Sequence, residues 1–415
     1  MQHVFGAPLA AYDFAMPPLI RFGAGRVAEI GDVVGMWGRE AWLVVGGRSF
    51  AASGARERID AGLAAAGIPQ RVIASSSGEP TVDQVVDALA TLPAERGNGP
   101  VVVAVGGGST IDLAKAVAAL AALVPPGTAD RGTIEPLVVD HLEGVGRGLS
   151  IRHWPLPVVA VPTTAGTGAE ATRNAVLSCP RRGFKKSMRS PLMVPRAAIV
   201  DPDLTASCSR GTVIASGLDC ITQLIESFVC RFSRPLPRAL VLEALPRALQ
   251  AFPRLVEPPP PGVPTAGDPG TLAADRAAMS HAALISGIAL ANSGLGLAHG
   301  VAAALGIACG TPHGIACATM LPAAMRVNRV AARHDFAILE RCVDSHAAPA
   351  DDEAADAFVA RIERLCLAAP RRLAELGVRR DQLDWLAENS GGNSMRGNPV
   401  QLDTAAVHRL LAEML

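Results

Sequence analysis

The sequence predicts two unlike halves: an α/β region folded on a parallel sheet, then a region built only of helices. Three observations carry that prediction. Up to Thr205, short apolar runs rich in valine alternate with segments of helical periodicity. Several of those runs end in glycines, the turn chemistry of a strand handing over to a helix. Beyond Thr205 the strand signals stop and only helical spacing remains. Repeated strand–helix units of this length imply parallel strands, right-handed crossovers and helices on both faces. The expected boundary falls near Leu204, giving domains 1–204 and 205–415.

Taken in order, Pro18 to Gly23 reads as a strand and Arg26 to Val34 as a short helix. Trp42 to Val45 is an apolar strand closed by Gly46-Gly47-Arg48-Ser49, and Arg56 to Ala66 is a helix stopped by Gly67. Arg71 to Ile73 is the next strand, and Thr81 can cap a helix through Leu89. Val101 to Val105 leads into Gly106-Gly107-Gly108-Ser109 and a helix carrying Ile111, Leu113 and Val117. From Pro125 to Pro157 the pattern dissolves into a surface excursion. Pro157 to Val161 and Val194 to Val200 are further strands. Helical segments then fit Thr212–Val229, Pro237–Phe252, Leu272–Ala291, Gly294–Ala304, His313–Val327, Asp351–Ala368, Arg372–Leu376 and Thr404–Leu415. Pro253 to Gly270, with its four consecutive prolines, reads as a flexible or polyproline connection.

Composition narrows the function classes. In 415 residues, 38 basic side chains balance 38 acidic ones, so no overall field favours nucleic acid or an anionic membrane. The eight cysteines include no Cys-x-x-Cys pair, which argues for reduced thiols in a cytoplasmic protein. The amino terminus does not read as a signal peptide, and no apolar stretch reads as long enough to span a bilayer.

Two regions carry chemistry. Three glycines between a buried strand and a helix allow a sharp turn and a close backbone approach to a ligand. The helix then presents free N–H groups and its positive dipole end to a phosphate. Ile111 stands where a Gly-x-Gly-x-x-Gly fingerprint would place its last glycine, so a ligand-free tight turn is the competing reading. After the Pro157–Val161 strand, Thr163, Thr164 and Thr167 with Gly166 and Gly168 aim hydroxyls and bare N–H groups at the same sheet edge. In the helical half, Asp219 and Gln223 lie four apart on one helix face. His299 and His313 follow, each beside a glycine; Thr311 can cap the helix of His313 and Pro312 can begin it. Together these four side chains make a candidate divalent-metal set, against the plainer reading of two ordinary polar histidines.

In this order, Gly106-Gly107-Gly108-Ser109 with Asp112 and Lys115, Pro162 to Gly168 with Glu170, Asp201-Pro202 with Leu204, Gly217-Leu218-Asp219 with Glu226, and the two His-Gly segments resemble the iron-containing (group III) alcohol dehydrogenase family. The resemblance runs from Phe22 to about Asn328. It implies an N-terminal dinucleotide-binding domain with a parallel sheet and an all-α C-terminal domain, the dehydroquinate synthase-like fold, with cofactor and metal in the cleft between them. It implies an alcohol dehydrogenase or carbonyl reductase that moves hydride between a nicotinamide and a small alcohol or aldehyde, in a homo-oligomer, commonly a dimer. Gly106, Gly107, Gly108 and Ser109 are then expected at the pyrophosphate. Asp112, Thr163, Thr164, Thr167 and Lys186 are expected to line the cofactor site, with Asn174 toward nicotinamide and substrate.

The sequence departs from the family at the metal. The expected ligands, one aspartate and three histidines, fall on Asp219, Gln223, His299 and His313, so an amide replaces an imidazole. Iron or zinc should then be held more weakly. A further histidine that relays the proton in relatives is Ala303 here. Gly47 takes the place of an aspartate that meets the adenosine ribose, and Arg48 follows it, which favours NADP over NAD. Two alternatives stand beside this reading: a metal-independent keto-acid reductase similar to maleylacetate reductase, and a non-catalytic nucleotide-binding relative.

Overall fold

A computed structural model describes residues 11–47, 50, 54–76, 78–93, 99–257 and 269–415. The expected α/β half forms around six parallel strands: β1 (Leu19–Phe22), β2 (Glu40–Gly46), β3 (Gln70–Ser76), β4 (Pro100–Gly106), β5 (Val158–Pro162) and β8 (Ala197–Val200). Their order across the sheet is β1-β8-β5-β4-β2-β3. Side chains alternate along β4: Val101, Val103 and Val105 enter one apolar layer, while Val102 and Ala104 enter the other. Both faces are therefore buried, and runs of valine without polar alternation are what such strands require. Helices α1 (Ile30–Gly35) and α2 (Ala55–Ala65) cover one face. Helices α3 (Val82–Ala90), α4 (Gly108–Leu120) and α5 (Arg131–Asp140) cover the other. Thr81 caps α3 as expected, and Gln84 completes a reciprocal box with it.

Two elements in this half differ from the sequence reading. Helix α5 lies inside the supposed surface excursion; Asp130 starts it by accepting from Gly132 N and Thr133 N, which outweighs the internal Pro136. Residues Asn174–Cys179 (β6) and Phe184–Arg189 (β7) pair as an antiparallel ribbon outside the main sheet. The buried positions of β6 alternate at Ala175, Leu177 and Cys179 and pack with the α4 layer, a pattern obscured in sequence by the charges of β7.

The second half is helical: α6 (Arg210–Val229), α7 (Pro235–Val256), α8 (Pro269–Ser293), α9 (Leu297–Cys309) and α10 (His313–Asn328) form its first layer. They are followed by α11 (Arg333–Val343), α12 (Asp351–Leu365), α13 (Leu383–Asn389), α14 (Asn393–Arg396) and α15 (Thr404–Glu413). Helices α11, α13 and α14 are absent from the sequence reading, although α11 buries an apolar face of Phe336, Ala337 and Leu339 and α13 one of Leu383, Leu386 and Ala387. Helix α7 continues through Pro253 to Val256, so the proposed proline connection begins later than expected; residues 258–268 lie outside the described ones. Thr311 does not cap α10: Pro312 is the cap residue, and His313 opens the helix.

Helix α6 has the length and mean hydropathy to cross a bilayer, but Asp219 and Glu226 interrupt its apolar run, and 78% of its most apolar stretch is buried inside the protein. It is a core helix: Leu218, Ile221, Leu224, Ile225 and Phe228 sit in the main helical cluster. Each such side chain contributes about 1.5–3 kcal/mol on full burial. The two halves meet tightly where Gly168, at φ +60°, lies against Gly287 of α8; a Cβ on Gly168 would stand 2.4 Å from Gly287 backbone atoms.

Candidate active site

The glycine turn stands at the carboxyl end of β4. Gly107 is the cap residue of α4 in extended conformation, and no side chain caps the helix, which leaves its first N–H groups to a ligand. The three glycines differ in role. A Cβ on Gly106 would lie 2.3 Å from Thr110 Oγ1, and one on Gly108 would lie 2.4 Å from Thr167 Oγ1, so both are demanded by packing. At Gly107 the nearest atom is Thr164 Oγ1 at 3.3 Å, so that position is set by what approaches it from outside.

The β5 loop is pinned by a buried lysine. Lys115 Nζ donates to Ala169 O (3.0 Å) and Thr172 Oγ1 (2.8 Å) and pairs with Asp112 Oδ1 at 2.9 Å. Asp112 Oδ2 accepts from Val176 N at 2.9 Å. Asp112 thus ties α4 to the ribbon two residues beyond Asn174. Its observed contacts are positioning contacts within the protein. Among the described residues, Thr163 Oγ1 and Asn174 Oδ1 are buried and have no hydrogen-bond partner. Buried polar atoms are rarely left so, and both belong to the residues expected at the cofactor.

Lys186 is exposed on β7. Strand alternation turns its neighbour Lys185 the other way, where its ammonium pairs with Glu79 and helps to lower the pKa of His313. The cation facing the helical half is therefore Lys185. Gly47 is exposed at the end of β2, its N–H donating to Ser76 O at 3.0 Å. Arg48 lies outside the described residues.

On the helical side, α6, α9 and α10 converge. Gly314 lets the start of α10 lie on α6, since a Cβ there would come within 2.0 Å of Ala215 O. This close approach brings His313 Nε2 to 3.8 Å from Asp219 Oδ1. His299 Nε2 lies 3.3 Å from the same oxygen. Cys317, one turn beyond His313, places Sγ 3.7 Å from His313 Nε2. One ligand atom from each of Asp219, His299, His313 and Cys317 lies within 4.8 Å of all the others. Ligand atoms around a tetrahedral ion with bonds of about 2.0–2.3 Å stand roughly 3.3–3.8 Å apart, so this donor set fits a transition metal.

Glu226 fixes the orientation of His299. Its carboxylate accepts from His299 Nδ1 at 2.7 Å and from the N–H groups of Gly296, Ala298 and His299 at the start of α9. With Nδ1–H committed, Nε2 faces Asp219, the outer-shell arrangement of a metal-ligating histidine. Gln223 is engaged on both sides: its Oε1 accepts from Ser286 Oγ at 2.7 Å, and its side chain hydrogen-bonds Asp219.

The charges follow from this crowding. Burial acts to raise Asp219, but His313, His299 and the Gln223 hydrogen bond outweigh it and keep the carboxyl below its ordinary value. Burial, with Lys185 and His299 nearby, lowers His313 to about 4 despite Asp219, so its imidazole is neutral near pH 7. Burial opposes the His299 cation, yet Cys317, Asp219 and Glu226 raise it well above the usual value. Burial pushes the Cys317 thiol up to about 12. Asp219 and His299 side chains are 3% and 4% exposed, against 34% for His313, so the site opens on the His313 side.

Sequence reasoning missed Cys317, Ser286 and the capping role of Glu226. The His313-x-x-x-Cys317 spacing on one helix face was the available signal for the first; the other two depend on contacts between helices.

A phosphate-type glycine turn on one half and a nitrogen–oxygen–sulfur donor cluster on the other define a nucleotide-dependent, metal-type oxidoreductase. Residues 17–202 match the model of the iron-containing alcohol dehydrogenases, and residues 213–415 match that of the family's C-terminal part. The chain belongs to the iron-containing alcohol dehydrogenase family. It is 28% identical to the NAD-dependent methanol dehydrogenase of Bacillus methanolicus, over 91% of this chain and 93% of that one. A 1,3-propanediol oxidoreductase crystal structure superposes with a TM-score of 0.84 at 24% identity, covering 98% of this chain and 100% of the other. Sulfoacetaldehyde reductase from Bifidobacterium kashiwanohense, solved with NAD+, gives 0.80 at 27% identity over 98% and 99%. The protein is accordingly an alcohol dehydrogenase of the nicotinamide-dependent type, interconverting alcohols and carbonyl compounds.

Proposed function

We propose that this enzyme interconverts a small alcohol and its aldehyde or ketone, using NADP in preference to NAD and a loosely held divalent metal. The observation that carries the metal is the convergence of Asp219, His299 and His313, with His299 oriented by Glu226. A divalent ion held by these three residues would supply Lewis-acid polarisation of the substrate oxygen. Beside the bond from Ser286, Gln223 Oε1 keeps a second lone pair with which to serve as the fourth ligand expected from the sequence. The bound nicotinamide would supply or accept the hydride.

The chain's own residues do the remaining work. Gly106 to Ser109 and the open start of α4 receive the pyrophosphate. Thr163, Thr164, Thr167 and Asn174 line the path toward the metal side, and the unpartnered Thr163 Oγ1 and Asn174 Oδ1 support ligand contacts there. Asp112 acts by holding the Asn174 ribbon against α4. Ala303 carries no proton, which leaves that transfer to water, a ribose hydroxyl or the substrate. The NADP preference rests on Gly47 and Arg48: the turn after β2 has no carboxylate to repel a 2′-phosphate. Two domains meeting near residue 204, a homodimer and a cytoplasmic location complete the reading.

The test is a panel of small aldehydes and ketones, read by NADPH and NADH absorbance, on chelated enzyme with iron, zinc or magnesium added back. Transition-metal restoration that fails in His313→Ala supports the assignment. Full activity of chelated wild type, unchanged in His313→Ala, would establish metal-independent reduction instead. No hydride transfer with any carbonyl would overturn the catalytic reading.

A further inference from the structure

The sulfur atom beside the two histidines has no role in the scheme above. Cys317 is fully buried, yet it is not simply packed in the core: its Sγ lies 3.7 Å from His313 Nε2 and also interacts with the His299 ring. It shares a face of α10 with His313, one turn away, so a single rigid helix presents both donors. Meanwhile the carboxamide oxygen of Gln223 is taken by the Ser286 hydroxyl, itself fully buried on α8. The side chain that replaces the family's imidazole is therefore tied to a neighbouring helix, and a thiol one turn from His313 lies within reach of the same site.

We propose that Cys317 is the fourth metal ligand of this protein, giving an Asp219–His299–His313–Cys317 donor set that selects zinc or cobalt over iron and magnesium. The inference rests on the metal reading of the site and names a donor that reading does not contain. Coordination forms one sulfur–metal bond and sends the thiol proton to solvent, with no change in oxidation state. A thiolate is a soft donor, and replacing an imidazole by one shifts preference away from harder ions. Gln223 then serves as a positioning residue, donating to Asp219 and holding Ser286. With four protein ligands, a substrate oxygen would enter as a fifth, from the exposed edge of His313, an expansion that catalytic zinc sites allow.

The full chain, stripped by chelation and reloaded with cobalt, should show a thiolate-to-cobalt charge-transfer band in the near ultraviolet. That band should vanish in Cys317→Ser and persist in Gln223→Ala. Competition with a chromophoric chelator should show zinc affinity falling roughly tenfold or more in Cys317→Ser. Should the serine variant fail to fold, zinc-edge X-ray absorption on wild type decides alone, with one sulfur scatterer at about 2.3 Å expected. An ion bound through nitrogen and oxygen only would overturn the sulfur assignment while leaving the metal reading intact. A folded protein that binds neither zinc nor cobalt would overturn both.

Discussion

Replacing Glu226 by glutamine tests how the helical half prepares its histidine. The carboxylate is nearly isosteric with the amide, but it serves four donors: Oε1 takes Ala298 N at 2.7 Å, and Oε2 takes Gly296 N, His299 N and His299 Nδ1. Glutamine has one acceptor oxygen. In its better orientation the oxygen keeps the three donors on the Oε2 side, and its NH2 group confronts the Ala298 N–H. An unsatisfied buried donor costs about 1–3 kcal/mol, and the bond to His299 loses its charge assistance, worth about 1 kcal/mol more. The favourable charge at the start of α9 is also lost. Glu226→Gln should therefore lower unfolding free energy by about 2–4 kcal/mol in urea titrations. It should also weaken metal binding by roughly 10–100-fold in chelator competition, because the His299 ring is no longer fixed. Unchanged stability together with unchanged metal affinity would refute the assignment of Glu226 as the residue orienting His299.

Gly107→Val should abolish binding of NADH and NADPH in calorimetry while circular dichroism stays native, since its Cβ meets nothing closer than 3.3 Å; Gly108→Ala, 2.4 Å from Thr167, should instead lose stability. Burial raises Glu170 from 4.5 to about 7, so its folded pKa exceeds its unfolded one, and its stabilising contribution is lost as pH rises from about 4.5 through 7. Glu170→Gln should gain unfolding free energy relative to wild type by up to about 3 kcal/mol between pH 4.5 and 8, and parallel pH curves would refute this. Arg48→Ala should raise KM for NADPH by roughly 10–100-fold and leave NADH nearly unaffected, reflecting a lost charged hydrogen bond of about 1.5–3 kcal/mol.

Legibility in the sequence followed the range of the interactions concerned. The central strands announce themselves because each valine run is buried on both faces, and the glycine turn because backbone geometry restricts the residue types. The β6–β7 ribbon was hidden because its burial comes from α4, far away in sequence. Asp219 and Gln223 on one helix face, with His299 and His313 beside glycines, suggest a metal set from the residues alone, and the family resemblance is what favours it over two ordinary polar histidines. Their convergence depends on α10 lying against α6 at Gly314. Lys186 is exposed while its neighbour Lys185 pairs with Glu79, a difference that strand alternation makes and composition does not.

The Gly168–Gly287 contact has a mechanical meaning. The glycine turn belongs to one half of the protein and the donor cluster to the other, and here the backbones of the two touch with no side chain between them. The same seam carries shared apolar packing, in which Ala171, Ala198 and Val200 of the first half sit among Leu218, Ala283 and Ile288 of the second, so main chain on main chain locks one half against sliding over the other. A methyl group at either glycine would wedge the halves apart and with them the two sides of the site.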